Sequence, residues 1–183
     1  MEMEWIAFLV FSAGIILLSW RSFRDRRSHG FYRFFAFEVI LALILLNVEF
    51  WFRQPFSVRQ IVSWSLLLMS ILLAVHGFTL LRRIGKPNAE IQDHRRLNIE
   101  KTTQLVKVGA YRYIRHPLYA SLLCLTWGAF LKHPSLVGGG LGAIATLALY
   151  LTARLEEVEN LEQFGAEYAA YTAQTKMFIP FIF

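Results

Sequence analysis

Two short polar segments carry residue types suited to binding a charged small molecule. Residues 107–121, KVGAYRYIRHPLYAS, place guanidinium, imidazole and phenol groups directly before a long apolar run. Residues 154–171, RLEEVENLEQFGAEYAAY, begin with paired carboxylates directly after another apolar run. Arginine binds carboxylates through two parallel hydrogen bonds, carboxylates accept from ammonium or hydroxyl groups, and aromatic rings face cations. Together the two segments offer binding partners for a ligand that carries a carboxylate, ammonium or hydroxyl groups, and a cationic centre.

The apolar runs between these segments predict a helical hairpin. Residues 118–131 and 136–153 are separated by residues 132–135 alone, a link too short for anything but an antiparallel connection. The hairpin therefore brings the two polar segments to one membrane surface. We expect Glu156 and Glu157 to lie near Arg115 and His116. Such a pairing is either a structural salt bridge or part of a ligand site.

The whole chain is too apolar for a soluble domain of its size. Of its 183 residues 56% are hydrophobic, and the mean hydropathy is +0.43. Five apolar runs approach the roughly 20 residues that cross a bilayer: Trp5 to Trp20, Phe34 to Phe52, Ile61 to Leu81, Leu118 to Leu131 and Leu136 to Ala153. We predict one all-α, polytopic domain over residues 1–183, with about five transmembrane helices.

The cations and the end of the chain indicate how these helices are arranged. Most arginines and lysines fall between the first and second runs and between the third and fourth, which predicts an outside N-terminus and a cytoplasmic C-terminus. The net charge of +6 follows from this topology, so we expect no nucleic-acid partner. Apolar residues recur every three or four positions between Leu155 and Tyr171, which predicts a cytoplasmic amphipathic helix.

Several motifs exclude other classes of site. Cys124 is the single cysteine, and the five histidines are scattered, so we expect neither a disulfide nor a metal site. The glycines at 138–140 and 142 lie within an apolar helix rather than after a strand, which excludes a dinucleotide loop. Their small-xxx-small spacing favours close helix packing within the chain, and it also permits an oligomer contact through this fifth run.

The two polar segments, taken together, resemble one superfamily. An RHPxY motif, followed after a hydrophobic hairpin by EE, FGxEYxxY and a terminal FIP, resembles the isoprenylcysteine carboxyl methyltransferases and phospholipid methyltransferases. The resemblance covers about residues 105–180. Ser121 departs from it, because the family usually has glycine there. The resemblance implies an integral membrane methyltransferase whose cytoplasmic loop and final helix enclose S-adenosylmethionine.

The resemblance and the chemistry of this cofactor together predict the site residues. S-adenosylmethionine presents a carboxylate, an ammonium, ribose hydroxyls, an aromatic base and a sulfonium. We predict cofactor binding by Tyr111, Arg115, His116, Leu118, Tyr119, Glu156 and Glu157. His116 and Glu157 are also the candidate catalytic bases. Because methyl transfer needs an in-line approach and exclusion of water, positioning should matter more than acid–base groups.

The acceptor is predicted to reach the site from the bilayer. A lipid-like acceptor such as a prenylcysteine carboxylate or a phospholipid amine is favoured, and a small thiol, as in some relatives, is the alternative. Glu38 and His76 are ionisable groups within predicted helices and are candidate substrate-binding residues. The alternatives are that Glu38 pairs with a loop arginine and that His76 bonds a backbone carbonyl. We assign residues 1–81 to the acceptor side and 82–183 to the cofactor side.

Two other functions remain open at this point. Membrane sterol-type reductases that use NADPH share a similar motif, RHPNYxxE, but the two diagnostic positions here are Leu118 and Leu122. A noncatalytic membrane scaffold would explain the hydrophobic helices but not the matched polar segments. The sequence therefore favours the methyltransferase.

Overall fold

The computed structural model describes residues 2–24, 28–88 and 101–182. Within these ranges the chain is helical, with isolated β-bridges in place of any sheet. Short 3-10 helices cover Trp20–Arg24, Val48–Phe50 and Gly109–Arg112. The α-helices are α1 (Glu2–Ser19), α2 (His29–Leu46), α3 (Val58–Arg83), α4 (Pro117–Phe130), α5 (Leu136–Phe164) and α6 (Ala166–Gln174). The all-α prediction is confirmed.

Three of the helices are long and apolar enough to cross a membrane. These are α2, α3 and α5, whereas α4 and the apolar part of α1, Trp5–Ser19, are shorter. Large apolar side chains on these helices are exposed, among them Leu17, Ile71 and Leu136. Exposed apolar surface of this extent is typical of a lipid or protein contact. The composition and length of the helices thus support an integral membrane protein.

The helix ends differ from the prediction in two places. α2 begins at His29 and ends at Leu46, where the Asn47 amide turns inward and donates to the carbonyl of Ala129 (2.9 Å). α5 continues past Ala153 to Phe164, so the predicted amphipathic helix is divided between the end of α5 and α6. Gly165 separates the two with a φ of 54°, a conformation that interrupts a helix.

Small residues allow the close helix contacts. At Gly128 on α4 an added Cβ would lie 3.0 Å from the Leu67 side chain, and the Ser63 hydroxyl donates to the Gly128 carbonyl (2.7 Å). α3 and α4 therefore pack backbone to backbone. On α5, Gly138 and Gly142 face Phe130 and Trp127, whereas Gly140 faces open space. The packing role predicted for the glycines applies to the first two, and an oligomer contact remains a prediction.

A buried lysine fixes the turn between α4 and α5. Lys132 Nζ donates to Gln60 Oε1 (3.0 Å) and lies 3.4 Å from the centroid of the Trp64 ring. Trp51 provides a second ring at 5.4 Å. The rings attract the cation, but desolvation by burial lowers the pKa of Lys132 to about 8.

This lysine predicts a rise of stability with alkaline pH. Between pH 8 and 10 the unfolded chain holds a proton on Lys132 that the folded chain has lost, so the unfolding temperature in detergent should rise across that window. Above it the unfolded chain loses phenol protons that the buried Tyr168 and Tyr171 keep, which opposes the rise. Lys132→Met should remove the rise, whereas Lys176→Met, at an exposed position, should keep it. Parallel pH profiles for the wild type and Lys132→Met would contradict the prediction.

Candidate active site

The segment before α4 is held by a glycine turn. Gly109 has a φ of 61°, and the following N–H of Ala110 donates to His76 Nε2 on α3 (3.2 Å). The short helix Gly109–Arg112 then buries Tyr111 and leads to Pro117, which begins α4. Proline is favoured at this first helical position because its missing N–H is not needed there.

A second segment clamps the first from the C-terminal side. The backbone N–H of Arg115 donates to the Lys176 carbonyl (2.8 Å), and that of His116 donates to the Met177 carbonyl (3.2 Å). In return the Lys176 N–H donates to the Tyr113 carbonyl (3.0 Å). We call residues 175–178 the C-terminal clip. It fixes the backbone from which Arg115 and His116 project.

Arg115 joins the clip to α5. Its Nε donates to Glu157 Oε1 (2.6 Å), and its Nη1 donates to the Thr175 carbonyl (2.5 Å) and the Thr172 carbonyl (3.4 Å). The Arg115 and Glu157 side chains are only 13% and 14% exposed, so their attraction is weakly screened. The carboxylate predicted to meet this arginine across the hairpin does so.

His116 lies beside the same carboxylate. Its Nε2 is 3.4 Å from Glu157 Oε1 but forms no hydrogen bond within the described residues, although it is buried. Burial alone would raise the pKa of Glu157, but the neighbouring His116 and Arg115 outweigh it and lower that pKa below its ordinary 4.5. The contacts of the Glu157 carboxylate with His116 and Arg115 therefore stabilise the fold above about pH 4.5. This stabilisation is lost as the pH falls through the lowered pKa that Glu157 has in the folded protein.

Glu156 faces α4 rather than the clip. It accepts a hydrogen bond from the Tyr119 hydroxyl (2.5 Å), and the Tyr119 ring stacks on His116 with centroids 5.4 Å apart.

Burial raises the pKa of Tyr168 and of Tyr171 on α6, so both remain neutral phenols. Tyr171 donates to the Tyr111 carbonyl (2.6 Å) and ties α6 to the loop.

These side chains surround a cavity of about 70 Å³. Six of the seven predicted cofactor residues line it, namely Tyr111, Arg115, His116, Leu118, Tyr119 and Glu156, and Glu157 braces Arg115 behind them. Other lining residues were not predicted, among them Thr102, Val106, Asn160, Tyr168 and Tyr171. Asn160 was open to prediction, because it lies one helical turn beyond Glu156. The 102–106 stretch carries no comparable sequence pattern.

The side chains around the cavity suit S-adenosylmethionine, but the volume of the cavity is too small for it. A guanidinium, one carboxylate, a buried imidazole nitrogen without a hydrogen-bond partner in the described chain and four phenol rings surround the space, and a second carboxylate, that of Glu157, bonds the guanidinium. They match an amino-acid group, ribose hydroxyls and an aromatic base. Sites for drug-sized ligands hold roughly 300–1,000 Å³, so the cavity must widen to admit a nucleoside cofactor.

The two predicted substrate residues contact other parts of the chain. Glu38 accepts from the Ser12 hydroxyl (3.0 Å) and joins α2 to α1. His76 accepts from the loop N–H of Ala110 rather than bonding a carbonyl. Neither lines the polar cavity, and their substrate roles remain predictions.

An apolar cavity of about 960 Å³ lies beside the polar one, between α3, α4, α5 and residues 178–180. Its lining includes Leu73, Cys124, Trp127, Leu147 and Tyr150. Phe178 also lines it, and the ring of Phe178 lies 6.1 Å from that of His116. Phe178 thus connects the apolar space to one of the predicted cofactor residues.

Comparison with known proteins gives two matches. A family model described as phospholipid methyltransferase matches residues 58–167, more than half of the chain. Methanethiol S-methyltransferase 1 of Bradyrhizobium diazoefficiens is 32% identical over 72 residues. That match covers 38% of this chain and 24% of the relative, so the chain spans about a quarter of that protein's length. No solved structure matches.

Proposed function

Because the chain belongs to the phospholipid methyltransferase family, we propose that it transfers a methyl group from S-adenosylmethionine to a lipid-like acceptor at the cytoplasmic membrane face. The convergence of Arg115, His116, Tyr119, Glu156 and Glu157 from the two ends of one hairpin is the observation that carries the proposal. When bound, the cofactor supplies an electrophilic methyl group on its sulfonium.

The residues of the polar cavity hold and orient this cofactor. Arg115 is placed to receive a carboxylate, while Glu156 accepts from the ammonium or from ribose hydroxyls. Tyr111 and Tyr119 provide ring faces for the base or the sulfonium. His116, whose buried Nε2 contacts Glu157, takes the proton when the acceptor is an amine or a thiol. The walls of the cavity exclude water from the transfer.

The apolar cavity supports a lipid-like acceptor. Its volume and apolar lining suit a hydrocarbon chain, and Phe178 places that chain next to His116. A prenylcysteine carboxylate or a phospholipid amine combines such a chain with a nucleophile. The methanethiol enzyme among the relatives makes a small thiol the second candidate acceptor.

The membrane topology completes the proposal. We infer that α1 and α4 are the remaining two of five transmembrane helices, with the N-terminus outside and the cation-rich loops in the cytoplasm. α4 has 14 residues and a length of about 21 Å, less than the roughly 30 Å of hydrocarbon. Residues flanking α4 must therefore complete its passage.

Cofactor binding tests the proposal directly. S-adenosylmethionine should bind the detergent-purified protein in calorimetry, and Glu156→Ala and His116→Ala should each weaken this binding. Glu162→Ala, an exposed acid on the same helix, should bind like the wild type. NADPH should not bind. Binding of NADPH in place of S-adenosylmethionine would overturn the assignment in favour of a reductase.

Filling the apolar cavity tests the acceptor. Ala143 on α5 lines it, so Ala143→Trp should raise the KM for a long-chain acceptor by about tenfold, while S-adenosylmethionine affinity stays unchanged. Ile144→Trp adds the same ring to the next exposed position, outside the cavity lining, and should change neither. Enzyme assays with a long-chain acceptor and a small thiol separate the two candidates. Equal KM values in Ala143→Trp and the wild type would count against a lipid chain in this cavity.

A further inference from the structure

A buried polar cluster lies at the start of α2, outside the cavity described above. His29 is fully buried, and its Nδ1 is 2.7 Å from Glu159 Oε2 on α5. The His29 backbone N–H also donates to Glu159 Oε1 (3.4 Å). On the other side of the ring, Arg33 Nη1 is 3.4 Å from His29 Nε2. Arg33 and Glu159 are buried as well, so the cluster joins two helices through charged groups inside the protein.

The geometry fixes the tautomer of the histidine. A carboxylate only accepts hydrogen bonds and a guanidinium only donates them. Nδ1 of His29 therefore carries the proton that it donates to Glu159, and Nε2 is directed toward Arg33. The ring is held in one orientation from both sides. Breaking a buried charged pair by removing one partner is strongly destabilising, so each member of the cluster helps to hold the others in place.

Glu159 belongs to the same stretch of α5 as the two carboxylates of the site. At about 100° per residue, Glu156 and Glu159 lie about 60° apart around the helix. Glu156 reaches Tyr119 on α4, while Glu159 reaches His29 on α2. The end of α5 is thus held by contacts with both α4 and α2. A rotation of α5 that moved Glu159 would also move Glu156 and Glu157.

We propose that His29 and Glu159 form the positioning pair of the cofactor site, which sets the rotation of α5 so that Glu156 and Glu157 face Arg115, His116 and Tyr119. His29 lies outside residues 58–167, so the pair brings the N-terminal part of the chain into the construction of the site. The consequence for cofactor affinity rests on the proposed function. The proposed role of the pair in orienting α5 does not depend on that function.

The orientation is measured first, without cofactor. Nitroxide labels at Arg82→Cys and Glu162→Cys, two exposed positions on α3 and α5, report the distance between the helix ends in a Cys124→Ser background. His29→Ala and Glu159→Gln should broaden the distance distribution. His29→Asn should restore it, because the asparagine amide N–H can donate to Glu159 in place of Nδ1–H. An unchanged distribution in both disrupting variants would overturn the proposal.

Cofactor affinity is measured next, on unlabelled protein. His29→Ala and Glu159→Gln should weaken S-adenosylmethionine binding by about tenfold, and His29→Asn should bring it back within about threefold of the wild type. Glu162→Gln should have no effect. A lower unfolding temperature with full cofactor affinity would reduce the pair to a structural contact. Broadened distances in a protein whose wild type binds no S-adenosylmethionine would refute the proposed function and leave the positioning intact.

Discussion

Arg115→Ala is expected to weaken S-adenosylmethionine binding by about a hundredfold or more, the largest loss among single substitutions of the site. The substitution removes the proposed carboxylate partner. It also removes the bonds to Glu157 and to the Thr175 carbonyl that hold α5 against the C-terminal clip. Glu157 is then left partly buried, with His116 and the more distant Arg154 (3.9 Å) beside it in the described chain, which disfavours its charged form. Calorimetry on the detergent-purified variant measures the effect.

Two variants provide the controls for this result. Arg115→Lys keeps the charge but not the planar fork, so its affinity should fall between those of the wild type and Arg115→Ala. Arg112→Ala removes an exposed cation three residues earlier and should bind within about threefold of the wild type. If Arg115→Ala also bound within that range, Arg115 would be a structural residue only.

Gly109→Ala is expected to have the second large effect on this binding, and it acts through the backbone. An L-residue is strained at a φ of 61°, and its Cβ would lie 2.4 Å from His76 Nε2 and 2.7 Å from Leu80 Cδ1. The short helix Gly109–Arg112 must move, and Tyr111 and Arg115 move with it. We expect S-adenosylmethionine affinity to fall by at least about tenfold in calorimetry.

The matched control is Gly140→Ala on α5, where an added Cβ meets nothing within 4 Å. It should keep the wild-type affinity. Wild-type affinity in Gly109→Ala would show that the loop can yield without cost to the site. His76 contacts the same loop through the N–H of Ala110. From the sequence, its substitution is predicted to alter acceptor turnover and to leave cofactor affinity intact. The bond to Ala110 predicts some loss of cofactor affinity as well.

The approach of residues 115–119 to residues 156–157 was predictable because a short turn leaves a hairpin only one geometry. The bonds from Arg115 to Glu157 and from Tyr119 to Glu156 follow from it. The helical class was predictable for a related reason, since apolar runs of this length have few other forms in a bilayer.

The C-terminal clip and the His29–Glu159 pair were not predictable by the same reasoning. Backbone pairing between residues 113–116 and 175–178 depends on carbonyl and N–H groups that every sequence has. His29 follows a run of arginines that indicates a solvated loop, and nothing local shows that it is fully buried. Contacts between distant segments leave no periodicity of their own.

The predicted division into an acceptor side and a cofactor side also cuts across structural contacts. Residues of α3, assigned to the acceptor side, line the apolar cavity together with α4 and α5. His29, from the same side, holds the helix that carries Glu156 and Glu157. The functional division remains a prediction, but residues of both regions line each of the two cavities.

The C-terminal clip has a consequence for the order of events during synthesis. Residues 175–178 follow the six α-helices of the described ranges, yet they hold the backbone of Arg115 and His116. A ribosome therefore makes these six helices before it makes the residues that hold Arg115 and His116, and earlier parts of a chain fold first. A nascent chain halted before Thr175 would contain all six of these helices and still lack the backbone bonds that hold Arg115 and His116 in place.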